Sequence, residues 1–343
     1  MRILKYGEAI REALVHAMEA DPSVFVMGIG VDDHKAVFGS TKELVKRFGK
    51  ERVFDTPISE AGMTGVAIGA ALGGMKPVHI HIRTDFLYLA MDQLLNLAAK
   101  WRSMFGGQMS LPIVVRAVIG RSWGQGAQHS QSLQSLFMHV PGIKVVMPTT
   151  PFDAQGLLLS AIFDPNPVLM IEHRLLYDIP GEVPETCTEV PFGHTVVRRE
   201  GRDLTIVANS YMVVESLKAA EFLEEYGIDV EIVDPVSLVP MDKETILNSV
   251  RKTGKALIVD TSWISCGVSA EIAALIAENA FHGLKQPIKR MGMQSVTCPV
   301  SKPLENAFYP NAKKIASEVF AMMGRDLPNV EAPVLSSNFK GPF

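Results

Sequence analysis

The chain has 343 residues, too many for one ordinary domain and enough for two, because single hydrophobic cores stop growing near about 250 residues. Hydrophobic residues make up 47% and charged residues 20% of the sequence, a balance that excludes a disordered or fibrous chain. The net charge of -4, with both signs interspersed, gives no single-sign field, so nucleic acid and anionic membrane surfaces are poor candidate partners.

The spacing of the cysteines and the length of the apolar runs predict where in the cell the protein is found. An odd number of widely spaced cysteines builds neither a disulfide framework nor a Cys-x-x-Cys metal site; they are Cys187, Cys266 and Cys298. Charges at Arg2, Lys5 and Glu8 interrupt the apolar run that a signal peptide needs, and no later stretch reaches about 18 apolar residues. We therefore predict a cytoplasmic protein without a membrane span.

The first part of the chain alternates helical and strand-like segments, which predicts a mostly parallel sheet covered by helices. Residues 6–20 carry apolar side chains at helical spacing, and residues 24–28 are typical of a short buried strand. The alternation continues with strands at 78–82, 112–118, 144–147 and 168–171 and helices at 86–100, 130–137 and 152–162. We predict a doubly wound domain over residues 1–178.

Residues 179–192 break this pattern and are predicted to form a linker, because they contain Pro180, Gly181, Pro184 and Pro191 and show little periodicity. A second alternating run follows. Its strands are predicted at 204–207, 230–234, 256–260 and 288–291, and its helices at 212–225, 243–252, 269–278 and 312–323. Residues 193–343 are therefore predicted to form a second α/β domain, so that the fold class is α/β with two doubly wound domains.

The segment from Asp55 to Gly62 joins a short strand to a helix and places a carboxylate at the start of that helix. Pro57 forbids a helix before it, so Glu60 lies in the first turn, at the end of a strand where α/β sheets bind ligands. On these residues alone, the more common explanation of Glu60 is a first-turn acid that complements the helix dipole. The helix repeats glycine at Gly65, Gly69 and Gly73, which predicts close backbone packing within its own domain or at a subunit interface.

Residues 124–130 form a glycine-rich loop that leads into a helix and carries His129. An exposed loop histidine is the alternative to a functional one, and the loop lacks the full Gly-x-Gly-x-x-Gly pattern of a phosphate cradle. The sequence contains no P-loop, Gly-x-Ser-x-Gly or His-Glu-x-x-His motif. Nucleophilic hydrolases and zinc proteases therefore have no support.

Taken together and in order, these motifs closely resemble the beta subunit of the first component of 2-oxo acid dehydrogenases, which includes the pyruvate, branched-chain 2-oxo acid and acetoin enzymes. The matching stretches are Arg52–Glu60, Asp92-Gln93, Ala98–Lys100, Ala127–Gln131, Asn166–Val168, Pro240–Asp242 and Ser301–Glu305. The resemblance spans nearly the whole chain, and it favours the functional interpretations of Glu60 and His129. It implies an N-terminal transketolase-type pyrimidine-binding domain and a C-terminal transketolase-type α/β domain.

The resemblance also implies roles for particular residues. Glu60 would hydrogen-bond the pyrimidine of thiamine diphosphate, Phe86 would pack on that ring, and Ile58 and Ile82 would line its pocket. His129 would face the substrate and order acyl transfer to a lipoyl group. A structural potassium ion would be held by oxygens of Ile113, Ala161, Ile162, Asp164 and Asn166, a ligand type that suits a hard cation.

The same resemblance implies a partner. In this family an alpha subunit holds the diphosphate and its magnesium through a Gly-Asp-Gly motif, and no such motif occurs here. We therefore expect an alpha2beta2 heterotetramer that decarboxylates a small 2-oxo acid oxidatively and passes the acyl group to the lipoyl acyltransferase core. The alternative is a subunit of a split transketolase-like enzyme or another carboligase that has no lipoyl partner.

Several residues depart from the family pattern. Ile29 stands where the family has an acid that is thought to connect two active sites, and Ile80 and Arg83 replace an acid and an aromatic or small residue. A cation at Arg83 predicts either a more anionic substrate or an ion pair, for example with Asp85. Two stretches in the second domain, Asp260-Thr261 and Cys298–Val300, also differ from the family pattern, and this domain is expected to face partner proteins.

Overall fold

The computed structural model describes residues 1–33, 35–121 and 124–328, which divide into two compact units. The first unit contains residues 1–120, 136–192 and 238–240. The second contains residues 121–135 and 193–237, and it continues from residue 241 to the end of the described chain. The end of the predicted second domain, residues 329–343, lies outside the described residues.

The strands and helices alternate along most of the chain. The strands are β1 (Arg2–Lys5), β2 (Val24–Gly28), β3 (Val53–Asp55), β4 (Lys76–His81), β5 (Val114–Ile119), β6 (Lys144–Val146), β7 (Val168–His173), β8 (Pro180–Val183), β9 (Val196–Arg199), β10 (Leu204–Ala208), β11 (Val230–Asp234), β12 (Ser237–Val239), β13 (Ala256–Trp263) and β14 (Lys289–Met293). The α-helices are α1 (Tyr6–Ala20), α2 (Leu44–Phe48), α3 (Glu60–Leu72), α4 (Ala99–Met104), α5 (Gln134–Met138), α6 (Pro151–Phe163), α7 (Tyr211–Glu224), α8 (Lys243–Thr253), α9 (Val268–Ala280), α10 (Lys302–Phe308) and α11 (Ala312–Met322). No described helix is long and apolar enough to cross a membrane.

The first unit is built on a seven-stranded sheet in the order β12-β6-β7-β5-β4-β2-β3. The pairings from β6 to β3 are all parallel, and β2, β5 and β7 are buried along their whole length, as strands covered on both faces are. The segment 179–192, predicted as a linker, contains β8, which pairs antiparallel with β1. Helices α1 and α6 pack against each other.

A buried ion pair joins the two central strands of this sheet. Arg116 on β5 donates from Nε and Nη2 to the two carboxylate oxygens of Glu172 on β7, at 2.6 and 2.8 Å. Both side chains are almost fully buried, Tyr177 donates its hydroxyl to the same carboxylate, and Arg116 also reaches Ser40 Oγ at 3.1 Å. Burial and the neighbouring Glu172 carboxylate raise the pKa of Tyr177 well above its usual range, so the phenol stays protonated.

The second unit has a five-stranded sheet in the order β14-β13-β10-β11-β9. Its strands are parallel except for the edge strand β9, which runs antiparallel to β11. Asp242 and Asn311 cap α8 and α11 by accepting hydrogen bonds from backbone amides of their first turns. The predicted α/β fold class with two domains of this kind is confirmed.

The helix predicted at 86–100 is wrong as a single α-helix. The chain forms a 3-10 helix at Thr84–Ala90, a π-helix at Asp92–Ala98 and then α4. Helix α3 packs against both of the irregular segments, so tertiary contacts outweigh the local periodicity. The helix predicted at 130–137 also begins later, at Gln134, which leaves residues 130–133 extended or bent.

Two buried histidines lie side by side on β4 and face α3. The rings of His79 and His81 are 4.3 Å apart between centroids, and Thr64 Oγ1 on α3 is 3.4 Å from His79 Nδ1. Burial lowers the pKa of His79 to about 4, and burial together with the nearby His79 lowers that of His81 well below its usual value. Both imidazoles are therefore neutral near pH 7, and folding disfavours their protonation.

We predict that the chain loses stability as the pH falls from about 6.5 toward 4. The folded pKa of His79 lies below its unfolded value, so the unfolded chain binds more protons in this window and unfolding becomes more favourable. His79 alone accounts for a loss of about 2 kcal/mol between pH 7.5 and pH 5. Chemical denaturation at several pH values measures this loss as a fall in the free energy of unfolding.

The comparison variant is His79→Val, which keeps a β-forming apolar residue and should flatten the pH dependence. The exposed His282→Gln serves as the matched control and should leave the slope unchanged. An equal slope in His79→Val and the unsubstituted chain would show that other groups cause the acid sensitivity.

Candidate functional site

Three strands of the first unit end side by side at one edge of its sheet. Gly28, Asp55 and Ile80 are neighbours in register near the carboxyl ends of β2, β3 and β4. The chain moves from β2 outward to β3 and then back across to β4, so the strand order reverses here, and open α/β sheets bind ligands at such a point. Gly28 has a φ of 150°, and a Cβ there would lie 2.3 Å from the Ile80 carbonyl oxygen, so only glycine fits.

Glu60 is the first residue of α3, directly after the loop that follows β3. The Met63 amide donates to the Ser59 carbonyl oxygen at 2.8 Å, which closes the first turn around it. Glu60 is only 8% exposed, and none of the described residues donates a hydrogen bond to its carboxylate or forms an ion pair with it. The carboxylate oxygens of this mostly buried side chain remain accessible, so a donor from outside the described residues can reach them.

Apolar side chains lie exposed on the segments next to this glutamate. Ile58, two residues before it, is 81% exposed, and Phe86 in the 3-10 helix is 36% exposed. Tyr88 and Leu89 on the same short helix are also exposed, while Ile82 at the end of β4 is half-buried. Because α3 packs against this 3-10 helix, the first unit presents an apolar surface beside Glu60 that water solvates poorly.

The glycine face of α3 points into open space. A Cβ added at Gly65 or Gly69 would meet no atom within 4 Å, and Val66 between them is exposed. Packing against the described part of the chain therefore does not explain Gly65 and Gly69.

Arg83 is buried at the end of β4. Its Nη1 donates to the Gly120 carbonyl oxygen at 2.9 Å, and its side chain is 2% exposed. The contact ties the end of β4 to the residue that follows β5, directly before the 3-10 helix that carries Phe86. This position fits a structural role better than direct recognition of an anionic substrate.

The structure divides the predicted site residues between its two units. Ile58, Glu60, Ile82 and Phe86 lie in the first unit. His129 belongs to the second unit, in a bend after Gly126, and is partly exposed.

Sequence reasoning missed Asn306 and Tyr309, which contact residues on either side of His129. Arg121 donates to Asn306, which is 185 positions away along the chain, and Tyr309 donates to the Ser130 carbonyl oxygen across 179 positions. No local pattern reveals partners at such separations.

The five residues expected around potassium all lie in the first unit, four of them at the end of α6 or between α6 and β7 and Ile113 directly before β5. The carbonyl oxygens of Ile113 and Ala161 accept hydrogen bonds from Val168 (3.0 Å) and Asp164 (3.4 Å). The Asp164 carboxylate pairs with Lys144, so its charge is already neutralised. Among the described residues, no group of three or more His, Cys, Asp or Glu side chains could hold a metal ion.

Known proteins resemble this chain over nearly its full length. Residues 3–180 match the pyrimidine-binding domain of transketolase, and residues 193–315 match the transketolase C-terminal domain. The beta subunit of acetoin:2,6-dichlorophenolindophenol oxidoreductase from Bacillus subtilis (strain 168) is 41% identical over 340 residues, covering 96% of this chain and 99% of that protein. The mitochondrial pyruvate dehydrogenase E1 component subunit beta-2 from Oryza sativa subsp. japonica is 41% identical over 312 residues, covering 90% and 83%.

A solved structure described as a split-gene transketolase, inactive beta4 tetramer, superposes with a TM-score of 0.75 at 23% identity. The superposition covers 94% of this chain and 99% of that chain, and at 23% identity it supports a similar fold alone. The match of both domains and the identity to the two beta subunits lead to one assignment. The chain belongs to the transketolase-like, thiamine-diphosphate-dependent enzyme family, among the beta subunits of the first components of 2-oxo acid and acetoin dehydrogenases.

Proposed function

We propose that this chain is the beta subunit of a 2-oxo acid dehydrogenase and is active only together with an alpha subunit. The observation that carries the proposal is the carboxylate of the mostly buried Glu60, which has no partner among the described residues and lies where the strand order reverses. A pyrimidine ring nitrogen that shares a proton with Glu60 would satisfy it. The first unit thus offers the half-site that the family uses for the pyrimidine.

The other residues of the half-site supply shape rather than charge. Phe86 would pack on the pyrimidine face, and Ile58 and Ile82 would line its edge, which buries apolar surface that the chain alone leaves exposed. Thiamine diphosphate, when bound, supplies the carbanion chemistry. Glu60 would hold the shared proton, and His129 would face the substrate and order the transfer of the acyl group.

The overall reaction balances with a cyclic disulfide as acceptor. The 2-oxo acid loses its carboxyl carbon as carbon dioxide, and its acyl carbon forms a thioester bond to one lipoyl sulfur. The disulfide bond breaks, and the second sulfur takes up one proton from solvent and becomes a thiol on the same lipoyl group, so the disulfide is reduced as the substrate is oxidised. The lipoyl-bearing acyltransferase is the proposed partner for this step.

The alpha subunit would cover the exposed surface beside Glu60 and bring the magnesium and the diphosphate ligands. The sequence has no Gly-Asp-Gly motif, and the glycine face of α3 leaves room for a neighbouring backbone. We further propose a potassium ion bound by backbone carbonyl oxygens near Ile113 and Asp164, since the Asp164 carboxylate is occupied by Lys144.

A second candidate substrate is acetoin, because a relative with 41% identity is named as an acetoin oxidoreductase subunit. A carboligase without a lipoyl partner is the remaining alternative. Reconstitution with the alpha subunit, followed by assays of 2-oxo acids and acetoin with an artificial electron acceptor and with lipoamide, separates the three. Condensed product without any acceptor identifies a carboligase.

We predict that the isolated chain binds thiamine diphosphate weakly or not at all, because most of the ligand's charge is on the diphosphate. Adding the alpha subunit with magnesium should restore tight binding in calorimetry. Tight, magnesium-dependent binding to the isolated chain would count decisively against the split-subunit proposal.

We predict that Glu60→Gln folds and assembles but loses cofactor activation by about a hundredfold or more, because the amide keeps the shape and cannot share the proton. The readout is exchange of the thiazolium proton in the reconstituted heteromer. Glu244→Gln, which changes the first-turn acid of α8, is the matched control and should exchange normally. Wild-type exchange in Glu60→Gln would leave Glu60 as a helix-dipole residue.

We predict that Gly65→Leu leaves the isolated chain as stable as before or more so, because leucine favours a helix by nearly 1 kcal/mol over glycine and meets open space. The same substitution should abolish assembly with the alpha subunit, measured by sedimentation. Gly283→Leu, at another glycine with open space around it, should assemble normally. Normal assembly of Gly65→Leu would remove this face from the interface.

A further inference from the structure

The segment that carries His129 is held by the second unit at many points. Residues 121–135 cluster with the second unit, although they follow β5 and lead into α5, most of which lies in the first. We call Gly124–Gln134 the His129 segment. Its contacts come from two places, the end of β13 and residues 298–309.

The first contact lies just ahead of the segment. Arg121 Nη2 donates to Asn306 Oδ1 and lies 3.4 Å from Glu305 Oε2, and its guanidinium is 5.5 Å from the centre of the Tyr309 ring. The Glu305 side chain is 4% exposed, and its Oε1 has no hydrogen-bond partner among the described residues. Because a buried carboxylate is costly without a counter-charge, Glu305 holds the guanidinium of Arg121 in place.

The second contact is a close approach of two backbones. Gly124 and Gly126 have φ values of 75° and 72°, in the region that favours glycine. A Cβ at Gly124 would lie 2.6 Å from the Val300 carbonyl oxygen, and one at Gly126 would lie 3.0 Å from Val300 Cγ2. The residues immediately before His129 therefore rest on Val300.

The third contact follows His129. Tyr309 donates its hydroxyl to the Ser130 carbonyl oxygen at 3.2 Å, and this hydroxyl also lies 3.5 Å from Cys298 Sγ. Ser262 Oγ donates to the Ser132 carbonyl oxygen at 2.9 Å.

The last contact is made by Gln134, the final residue of the His129 segment. Gln134 Nε2 donates to Asp260 Oδ1 and to Thr261 Oγ1, both at 3.0 Å. Asp260 is 1% exposed and also accepts hydrogen bonds from Asn209 (3.1 Å) and from the Ser269 amide (3.2 Å). The carboxylate is therefore a fixed anchor rather than a surface charge.

These contacts involve the residues at which the chain departs from its family. Asp260-Thr261 and Cys298–Val300 were expected to face partner proteins, yet in the second unit they contact the His129 segment or the tyrosine that holds it. We propose that the segment 298–309 and the end of β13 position His129, and that Tyr309 and Arg121 are positioning residues for transfer to the acceptor. The functional half of this inference rests on the proposed role of His129.

Chemical labelling tests the positioning directly on the full chain. Tyr309→Phe removes the hydroxyl bonded to Ser130, and Asn306→Ala, at an exposed position, removes one of the partners of Arg121 without disturbing the core. Both should raise the rate at which diethyl pyrocarbonate modifies His129, followed by mass spectrometry, about threefold or more. Asn306→Asp, which keeps an acceptor for Arg121, should restore the slow rate.

Two controls accompany the labelling. The exposed His282 is the internal reference, and Tyr226→Phe, a tyrosine of the same unit that packs on Phe222 and Phe320, should leave His129 unaffected. An unchanged His129 rate in both Tyr309→Phe and Asn306→Ala overturns the inference.

A mutant cycle in the reconstituted heteromer tests the functional half. Tyr309→Phe should lower acyl transfer to lipoamide about tenfold while the thiazolium proton exchanges at the wild-type rate. In a His129→Ala background the same substitution should have no further effect, because the two residues act as one unit. An equal loss in both backgrounds would falsify action through His129.

The cycle also separates this inference from the proposed function. If His129→Ala alone transfers acyl groups at the wild-type rate, the role proposed for His129 is wrong and the functional half fails with it. The labelling rates then still decide whether these contacts hold the segment.

Discussion

The buried ion pair between Arg116 and Glu172 is the interaction on which the first unit depends. It joins β5 to β7 in the middle of the sheet, where removal of either partner would leave a buried charge at a cost of about 3–5 kcal/mol. β5 fixed in this way ends beside Gly120, whose carbonyl oxygen accepts the hydrogen bond from Arg83. Arg83 in turn directly precedes the 3-10 helix with Phe86, so the apolar surface beside Glu60 is connected to the core by two polar contacts.

The buried inner strands of both sheets could be predicted from the sequence because their burial is continuous, whereas the edge strands β9 and β12 were missed. The strand at 24–28 and the helix at 6–20 agree with β2 and α1. The region 86–100 could not be predicted, because its apolar spacing suits an α-helix and only packing against α3 reveals the 3-10 and π-helical turns. The pairing of β1 with β8 was missed because its strands lie about 180 positions apart and carry no strong alternation.

The candidate site shows the same division between local and distant information. Pro57 and the following helix predict where Glu60 lies, and the family pattern predicts what it does. Its burial without a partner is a tertiary property that no local motif carries. The open space around Gly65 is likewise a tertiary property, and it favours one of two interpretations that the sequence left equal. His129 was recognised from its motif, whereas the residues that hold it are separated from it by more than a hundred positions.

The clustering of residues 121–135 with the second unit restricts how such genes can recombine. A crossover in the segment 179–192 looks harmless on the sequence, since it would exchange one whole domain for another. Such a chimaera would, however, combine residues 124–134 of one parent with the residues at positions 260 and 300 of the other. Gly124 approaches the backbone of Val300 so closely that a shift of either backbone would produce a clash. Chimaeras between relatives should therefore stay functional only when both stretches travel together, which makes them a single inherited unit despite their separation in the gene.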